Sequence, residues 1–347
     1  KNVKYTPANA SQDIEAKRAR KMEGIKFASV ILTALAGAGT AALFCALLLS
    51  MGLSNVRSVL FTGVLGFSTT HLFFSSSPET YIFSALGIVA VALLAVRSKS
   101  HAFWWQLAAV YACSMLTTNI ALVGLWTLVR CREEPTLIKW FLRVCQSLAI
   151  TVVLLISLNI VQKLIYPTAV LVFLPSSVGH QTGWFYWEQL LSPLKHTRIL
   201  LQHIWLSNIV APEPVVARPF GINMASIEAG TWNQFAAAWP LFGLWLTILV
   251  ASLAGLARRA WHHPAILAAL AIIAFNFCFF FIFGHDRMLY SCLWTAMSVL
   301  MIAYGCECLI RRWPAVQKYL TVMLSLFVLC QAWHNWHFLT KIMLLVQ

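Results

Sequence analysis

The sequence predicts an all-α fold, a polytopic membrane helical bundle, and three observations predict it. Mean hydropathy is +0.76 and 60% of the 347 residues are hydrophobic. Only 10% are charged, where a soluble domain carries roughly a quarter. Apolar runs of about 17 to 26 residues recur between short polar breaks, and each is long enough to cross a ~30 Å hydrocarbon core as a helix. The runs are continuous and do not alternate, so neither a membrane β-barrel nor a soluble enzyme fits.

In chain order the apolar segments are 25–50, 58–74, 80–96, 102–116, 119–130, 143–163, 236–256, 264–284, 288–309 and 318–333. Segments 102–116 and 119–130 are too short for two comfortable spans, with Thr117, Thr118 and Asn119 between them, so a helical hairpin that enters the membrane and returns is expected. From 164 to 235 the pattern stops, and Pro167, Pro175, Pro193, Pro212, Pro214 and Pro219 mark one large loop with interfacial aromatics. Four parts follow: a basic segment 1–24, an N-terminal transmembrane core 25–163, a loop domain 164–235 and C-terminal transmembrane helices 236–347. The chain begins at Lys1 without Met, and no signal peptide or hydrophobic anchor precedes residue 25. A further N-terminal part is therefore expected upstream.

Twenty-five Lys and Arg against 11 Asp and Glu give a net charge of +14. In a polytopic protein such an excess reports cytoplasmic loops and anionic lipid rather than nucleic acid. One topology places twelve basic residues of the short loops on the cytoplasmic side: Arg57; Arg97 and Lys99; Arg130, Arg132, Lys139 and Arg143; Arg258 and Arg259; Arg311, Arg312 and Lys318. The large loop is then outside. The same topology leaves Lys17, Arg18, Arg20, Lys21 and Lys26 on the outer face, against the positive-inside rule, so that cluster is read as functional. The nine cysteines lie almost entirely within apolar runs, as small packing residues do. Cys306-Glu307-Cys308 lacks the two further ligands a zinc site needs.

Of the acids, this topology leaves Asp13, Glu15, Glu23, Glu79, Glu188, Glu213, Glu228 and Asp286 outside, so any chemistry faces outward. Glu79 belongs to the break Ser75-Ser76-Ser77-Pro78-Glu79-Thr80-Tyr81. Pro78 suits a first helical turn, which puts Glu79 at the positive end of the next helix, as a base, as a metal ligand or simply as a partner of the helix dipole. His71 lies two turns earlier, near the same face. His285-Asp286-Arg287 forms the second outward turn. Three titratable side chains there mark either a site at the membrane surface or a locally paired helix cap. The forked donors of Arg287 match phosphate oxygens. Gly183-Trp184-Phe185-Tyr186-Trp187-Glu188 is an interfacial aromatic cluster that could also line a sugar or lipid groove, and His180, His196 and His203 share its loop without metal-ligand spacing. No GxxxxGKS, HExxH, GxGxxG or GxSxG occurs, so those motifs lend no support to nucleotide-driven pumping, zincin, dinucleotide or α/β-hydrolase chemistry.

Residues 18–96, with Ala36-Gly37-Ala38-Gly39, Gly52-Leu53, Gly66-Phe67-Ser68 and Ser76-Ser77-Pro78-Glu79-Thr80-Tyr81, resemble the GT-C superfamily of membrane glycosyltransferases. The hairpin at Thr117-Thr118-Asn119 and Gly284-His285-Asp286-Arg287-Met288-Leu289-Tyr290 are similar to bacterial branches related to aminoarabinose and protein-mannosyl transferases. About 200 of the 347 residues take part. The resemblance implies a polyprenyl-phosphate-sugar donor, transfer on the outer face, and hence an inner-membrane protein whose active site faces the periplasm. That family's main catalytic acid lies in its first outer loop, where this chain offers only Gln12-Asp13-Ile14-Glu15. By position Glu79 matches the acidic site of the second outer loop, and Arg18 and Arg20 match the basic start of the second span.

The chemistry asks for a carboxylate base on the acceptor hydroxyl and cations on the departing phosphate. Glu79, Asp286 and Asp13 are the candidate acids. Arg18, Arg20, Lys21, Arg287, His285 and His71 are candidates for the lipid phosphate, and a divalent cation on Glu79 is the only cofactor entertained. Two other functions stay open: a transporter or flippase of a lipid-linked or anionic solute, and a non-catalytic membrane subunit.

Overall fold

The computed structural model describes residues 7–97, 101–171, 182–217, 224–226, 238–259, 263–284 and 287–346; the side chains of 7–21, 182, 215–217, 224–226, 258–259 and 345–346 lie outside that description. The apolar runs are helical, because in hydrocarbon a helix pairs its own backbone groups. The helices are α1 (Pro7–Ser50), α2 (Asn55–Gly66), α3 (Thr69–Ser76), α4 (Tyr81–Val96), α5 (Ala102–Met115), α6 (Asn119–Arg130), α7 (Leu137–Ile165), α8 (Pro193–Gln202), α9 (Trp239–Arg259), α10 (Pro264–Ile282), α11 (Cys292–Arg312) and α12 (Val316–Val346). Among the described residues six are long and apolar enough to cross a membrane, or seven if α2 and α3 count as one broken span. Among the described residues the one sheet is an antiparallel pair, β1 (Val215–Ala217) and β2 (Met224–Ser226), with Val216 opposite Ala225.

Three boundaries differ from the sequence expectation. Helix α1 is continuous for 44 residues, about 66 Å at ~1.5 Å per residue, so segments 1–24 and 25–50 share one rod. Pro7 opens it, a residue suited to a first turn, and no further proline occurs before Pro78. The expected single span 58–74 is instead α2 and α3, bent by 62° at Phe67-Ser68. Ser68 causes the break locally: its hydroxyl donates to Leu65 O (2.6 Å) and accepts from His71 N (3.3 Å), restarting the chain as an N-cap. Helix α12 outruns 318–333 by 13 residues, since His334, Asn335, His337 and Lys341 lower hydropathy without opposing helix.

The freed backbone at the break is satisfied from elsewhere in the protein. Asn335 Nδ2 donates to Phe67 O at 2.7 Å, Gln331 Nε2 to Val64 O at 3.1 Å, and Thr70 N to Asn208 O at 3.2 Å. The last bond comes from the α7–α9 connection, whose residues 206–211 are buried inside the bundle. Ala211 N donates to Asn335 Oδ1 at 3.0 Å, and Ile209 O accepts from both Gln331 and Asn335. Irregular backbone at such depth is tolerable only with protein partners like these.

Helix α11 is the central element, with 94% of its most apolar window buried. It packs most closely on α9, where a Cβ on Gly255 would strike the Gly305 carbonyl. At its lower end buried Glu307 accepts from Arg57 Nε (2.7 Å) and Arg311 Nε (3.1 Å), and Arg311 also donates to Gly52 O (2.9 Å). Arg97 Nε donates to Ser50 Oγ, Arg130 lies 4.9 Å over the Trp105 ring, and His263 packs on Tyr304. These links gather the α1–α2, α4–α5, α6–α7, α9–α10 and α11–α12 connections at one end of the bundle, the basic end. Lys99, among the twelve residues expected there, lies outside the described residues.

Candidate functional site

The opposite end carries the Glu79 turn and the described flanks of the second turn, Gly284 and Arg287. The first follows Ser77, whose extended backbone (φ −106°, ψ 136°) stops α3, and Glu79 N donates to Ser77 O at 2.7 Å. Thr80 is the N-cap of α4, which begins only at Tyr81. Glu79 therefore precedes the cap instead of sitting in the first turn, which corrects the helix-dipole reading, and its side chain is exposed.

The second turn is built around Gly284, whose φ of +76° places the Tyr290 ring where a Cβ would be, at 2.6 Å. Only glycine takes both the left-handed backbone and the close ring. Tyr290 stacks on Phe280 (centroids 4.2 Å) and meets Tyr81 edge-on (5.8 Å). That pair of tyrosines joins the Glu79 turn to the 284–290 turn, although about 200 residues separate them. The aromatic stretch of the α7–α9 connection runs beside the second turn: Tyr186 N donates to Ile282 O (2.7 Å), Gly284 N donates to Trp184 O (3.0 Å), and Phe185 packs on Phe279 and Phe283.

Arg287 departs from expectation. It is 5% exposed, not a free surface cation, with Nη2 2.9 Å from both Gln189 Oε1 and His196 Nδ1. Since an arginine only donates, the His196 Nδ1 accepts here and its proton sits on Nε2. His203 lies seven residues on from His196, close enough for Arg287 to act on its charge. Burial first and Arg287 second lower its pKa from 6.5 to about 4, so the imidazole is neutral. Gln202 and His203 are 3% and 1% exposed, and the Gln202 amide atoms and His203 Nδ1 have no hydrogen-bond partner among the described residues. Sequence reasoning missed this group, although the seven-residue spacing of the two histidines already put them on one helix face.

His71 departs further. It is buried, with Nε2 3.0 Å from Gly37 O, and it helps α3 pack against α1 where Gly37 lets Ser75 approach. A side chain so placed serves the core and does not reach a headgroup. Asp13, Arg18, Arg20 and Lys21 fall on the helical backbone of α1 with side chains outside the described part, and His285 and Asp286 lie outside the described residues altogether. Among the described residues no group of three or more His, Cys, Asp or Glu could hold a metal ion, so nothing described adds ligands to Glu79.

Two cavities open at this end. One of about 350 Å³ lies between 211–214 and the last turns of α12. The other, about 210 Å³, is lined by Ser114, Thr117, Asn159 and Gln162 between the α5–α6 break and α7. Chemically, the described part of this end offers the exposed carboxylates of Glu79 and Glu188, the open Glu213–Lys341 ion pair, and a buried guanidinium that donates to Gln189 and His196 near aromatic rings. Comparisons with protein-family models, with curated proteins and with solved structures find no match.

Proposed function

We propose that this chain is a membrane glycosyltransferase that moves a sugar from a polyprenyl-phosphate carrier to a lipid, glycan or protein acceptor, working on the outer face of a bacterial inner membrane. The observation that carries the reading is the pairing of Tyr81 with Tyr290, which sets the exposed carboxylate of Glu79 beside the 284–290 turn at the end away from the basic loops. In the reaction the acceptor hydroxyl attacks the anomeric carbon, the bond from that carbon to the phosphate oxygen breaks, and polyprenyl phosphate leaves. Glu79 takes the hydroxyl proton, and Arg18, Arg20 and Lys21 are the cations assigned to the phosphate. Asp13, Asp286 and His285 remain the companion acids and donor. Arg287, engaged by Gln189 and His196, positions the large outward loop over the site. A divalent cation on Glu79 would add charge neutralisation, and no step depends on it.

One observation favours a second reading, a flippase for a lipid-linked solute. The α2–α3 span is broken and the break is filled by an inserted connection, a feature that transporters use for binding sites. Purified protein in proteoliposomes supplied with a radiolabelled polyprenyl-phosphate sugar and a membrane lipid acceptor separates the two. Glycosyl transfer predicts labelled acceptor and one polyprenyl phosphate released per sugar moved. Label that changes leaflet with no acceptor product contradicts it and selects the flippase.

A further inference from the structure

The 350 Å³ cavity beside α12 is used by no step above, and its size falls in the ~300–1,000 Å³ range of small-molecule sites. Its α12 wall is His334, His337, Phe338, Lys341 and Leu344, at the three- and four-residue spacing that stacks side chains, with Thr340 at its edge. The facing wall is Ala211, Pro212, Glu213 and Pro214. His334 Nε2, 2.9 Å from Ala211 O, closes the inner end. Across the cavity Lys341 Nζ donates to Glu213 Oε1 at 3.3 Å, with the side chains 54% and 59% exposed. An ion pair this open opens at little cost.

Depth identifies the surroundings. Trp333 and Trp336 are 70% and 60% exposed on α12, as aromatic side chains at a membrane–water boundary are. Lys341 lies five residues further, about 7.5 Å at ~1.5 Å per residue, which is headgroup level. Phe338 and Ala211, 6% and 1% exposed, give the cavity an apolar floor below that level.

We propose that this cavity binds the headgroup of a phospholipid carrying both a phosphate and a primary ammonium, the phosphatidylethanolamine class. The phosphate takes the place of Glu213 on Lys341, with His337 beside it, and the ammonium takes the place of Lys341 on Glu213. The glycerol and first methylenes rest on Phe338. An anionic headgroup without the ammonium meets Glu213 uncompensated. A choline headgroup has no N–H to donate to the carboxylate.

The test is native mass spectrometry of the full chain released from nanodiscs containing equal parts phosphatidylethanolamine, phosphatidylcholine and phosphatidylglycerol. Phosphatidylethanolamine should be retained about three- to tenfold over each of the others, as one or two exposed charge contacts allow. Glu213→Gln should abolish the preference over phosphatidylglycerol, and Lys341→Gln should abolish retention of a phospholipid at this site. Lys318→Gln, at the basic end, should change nothing. Both substitutions in the cavity remove exposed charges, so the protein should stay folded, and melting curves check this. Equal retention of all three lipids, or phosphatidylglycerol retained best, overturns the proposal. So does displacement by water-soluble glycerophosphoethanolamine at the lipid's own concentration, because the apolar floor would then contribute nothing.

Discussion

At the scale of single residues, burial changes what a charge can do. Arg287 read alone in its turn is an exposed phosphate holder whose loss would leave the fold intact. With 5% exposure and bonds to Gln189 and His196, it ties the 187–196 segment to the end of α10. Arg287→Ala should therefore lower stability by about 1–3 kcal/mol, the usual consequence of stranding buried partners of a charged donor. Arg287→Lys should recover only part of that, since the flexible lysine stem must bring its one nitrogen to the point that Nη2 now holds, without the pre-organisation of the planar guanidinium. Thermal unfolding in detergent checks both, and an unshifted Arg287→Ala would return Arg287 to the surface. His203 supplies a pH dependence with a definite sign. Its native pKa is about 4 against 6.5 in the unfolded chain, so in that window the unfolded state binds a proton that the native state refuses. Stability rises with pH there and is lost as pH falls from 6.5 towards 4. His203→Gln should flatten that part of the melting-temperature profile, and a variant with the same slope as wild type would assign the effect to other histidines.

Elements show how far the hydropathy pattern reaches. It places the apolar helices, because continuous apolar runs have one stable backbone solution in lipid. It places the α5–α6 break, where buried Asn119 donates to Ala112 O and Ser84 Oγ. It does not reveal the bend at Phe67, because the groups that make it tolerable, Gln331 and Asn335, come from α12 more than 260 residues away. Nor does it reveal that 206–211 is buried, since that stretch is too short and too polar to read as a span. Of the two ion pairs of buried Glu307 at the basic end, Glu307–Arg311 follows from its four-residue spacing. Arg57 follows from nothing local. The bend makes a prediction of its own. Asn335→Leu strands Phe67 O and Ala211 N, so it should destabilise by about 2–6 kcal/mol at ~1–3 kcal/mol per stranded group. Gln317→Leu, at an exposed position of the same helix, should stay within about 0.5 kcal/mol. Equal melting temperatures for the two variants would mean that water, not Asn335, serves the break.

For the whole molecule, the account rests on two ends with different chemistry. The basic end holds Arg57, Arg97, Arg130 and Arg311 near one another, while the other holds Glu79, Gly284, Arg287 and the 183–196 segment. That division was legible in the sequence because short-loop arginines and lysines follow the positive-inside pattern. The contact of Tyr81 with Tyr290, which joins the flanks of two turns about 200 residues apart, was not legible, since nothing local in either turn points to the other. With native cysteines removed, a cysteine at 198 should react with a membrane-impermeant reagent added outside, and one at 259 should not; the reverse pattern would turn the site to the cytoplasm. In the proposed function Glu79 is the base on the acceptor hydroxyl. Glu79→Gln keeps the side chain's size and hydrogen bonding but cannot accept the acceptor proton. The deciding measurement compares this variant with wild type in proteoliposomes, recording binding of a polyprenyl-phosphate sugar and its transfer in the same preparation. The account predicts unchanged or tighter binding with transfer reduced about 10²–10⁴-fold, the usual contribution of a general base. Transfer equal to wild type at equal binding would contradict it.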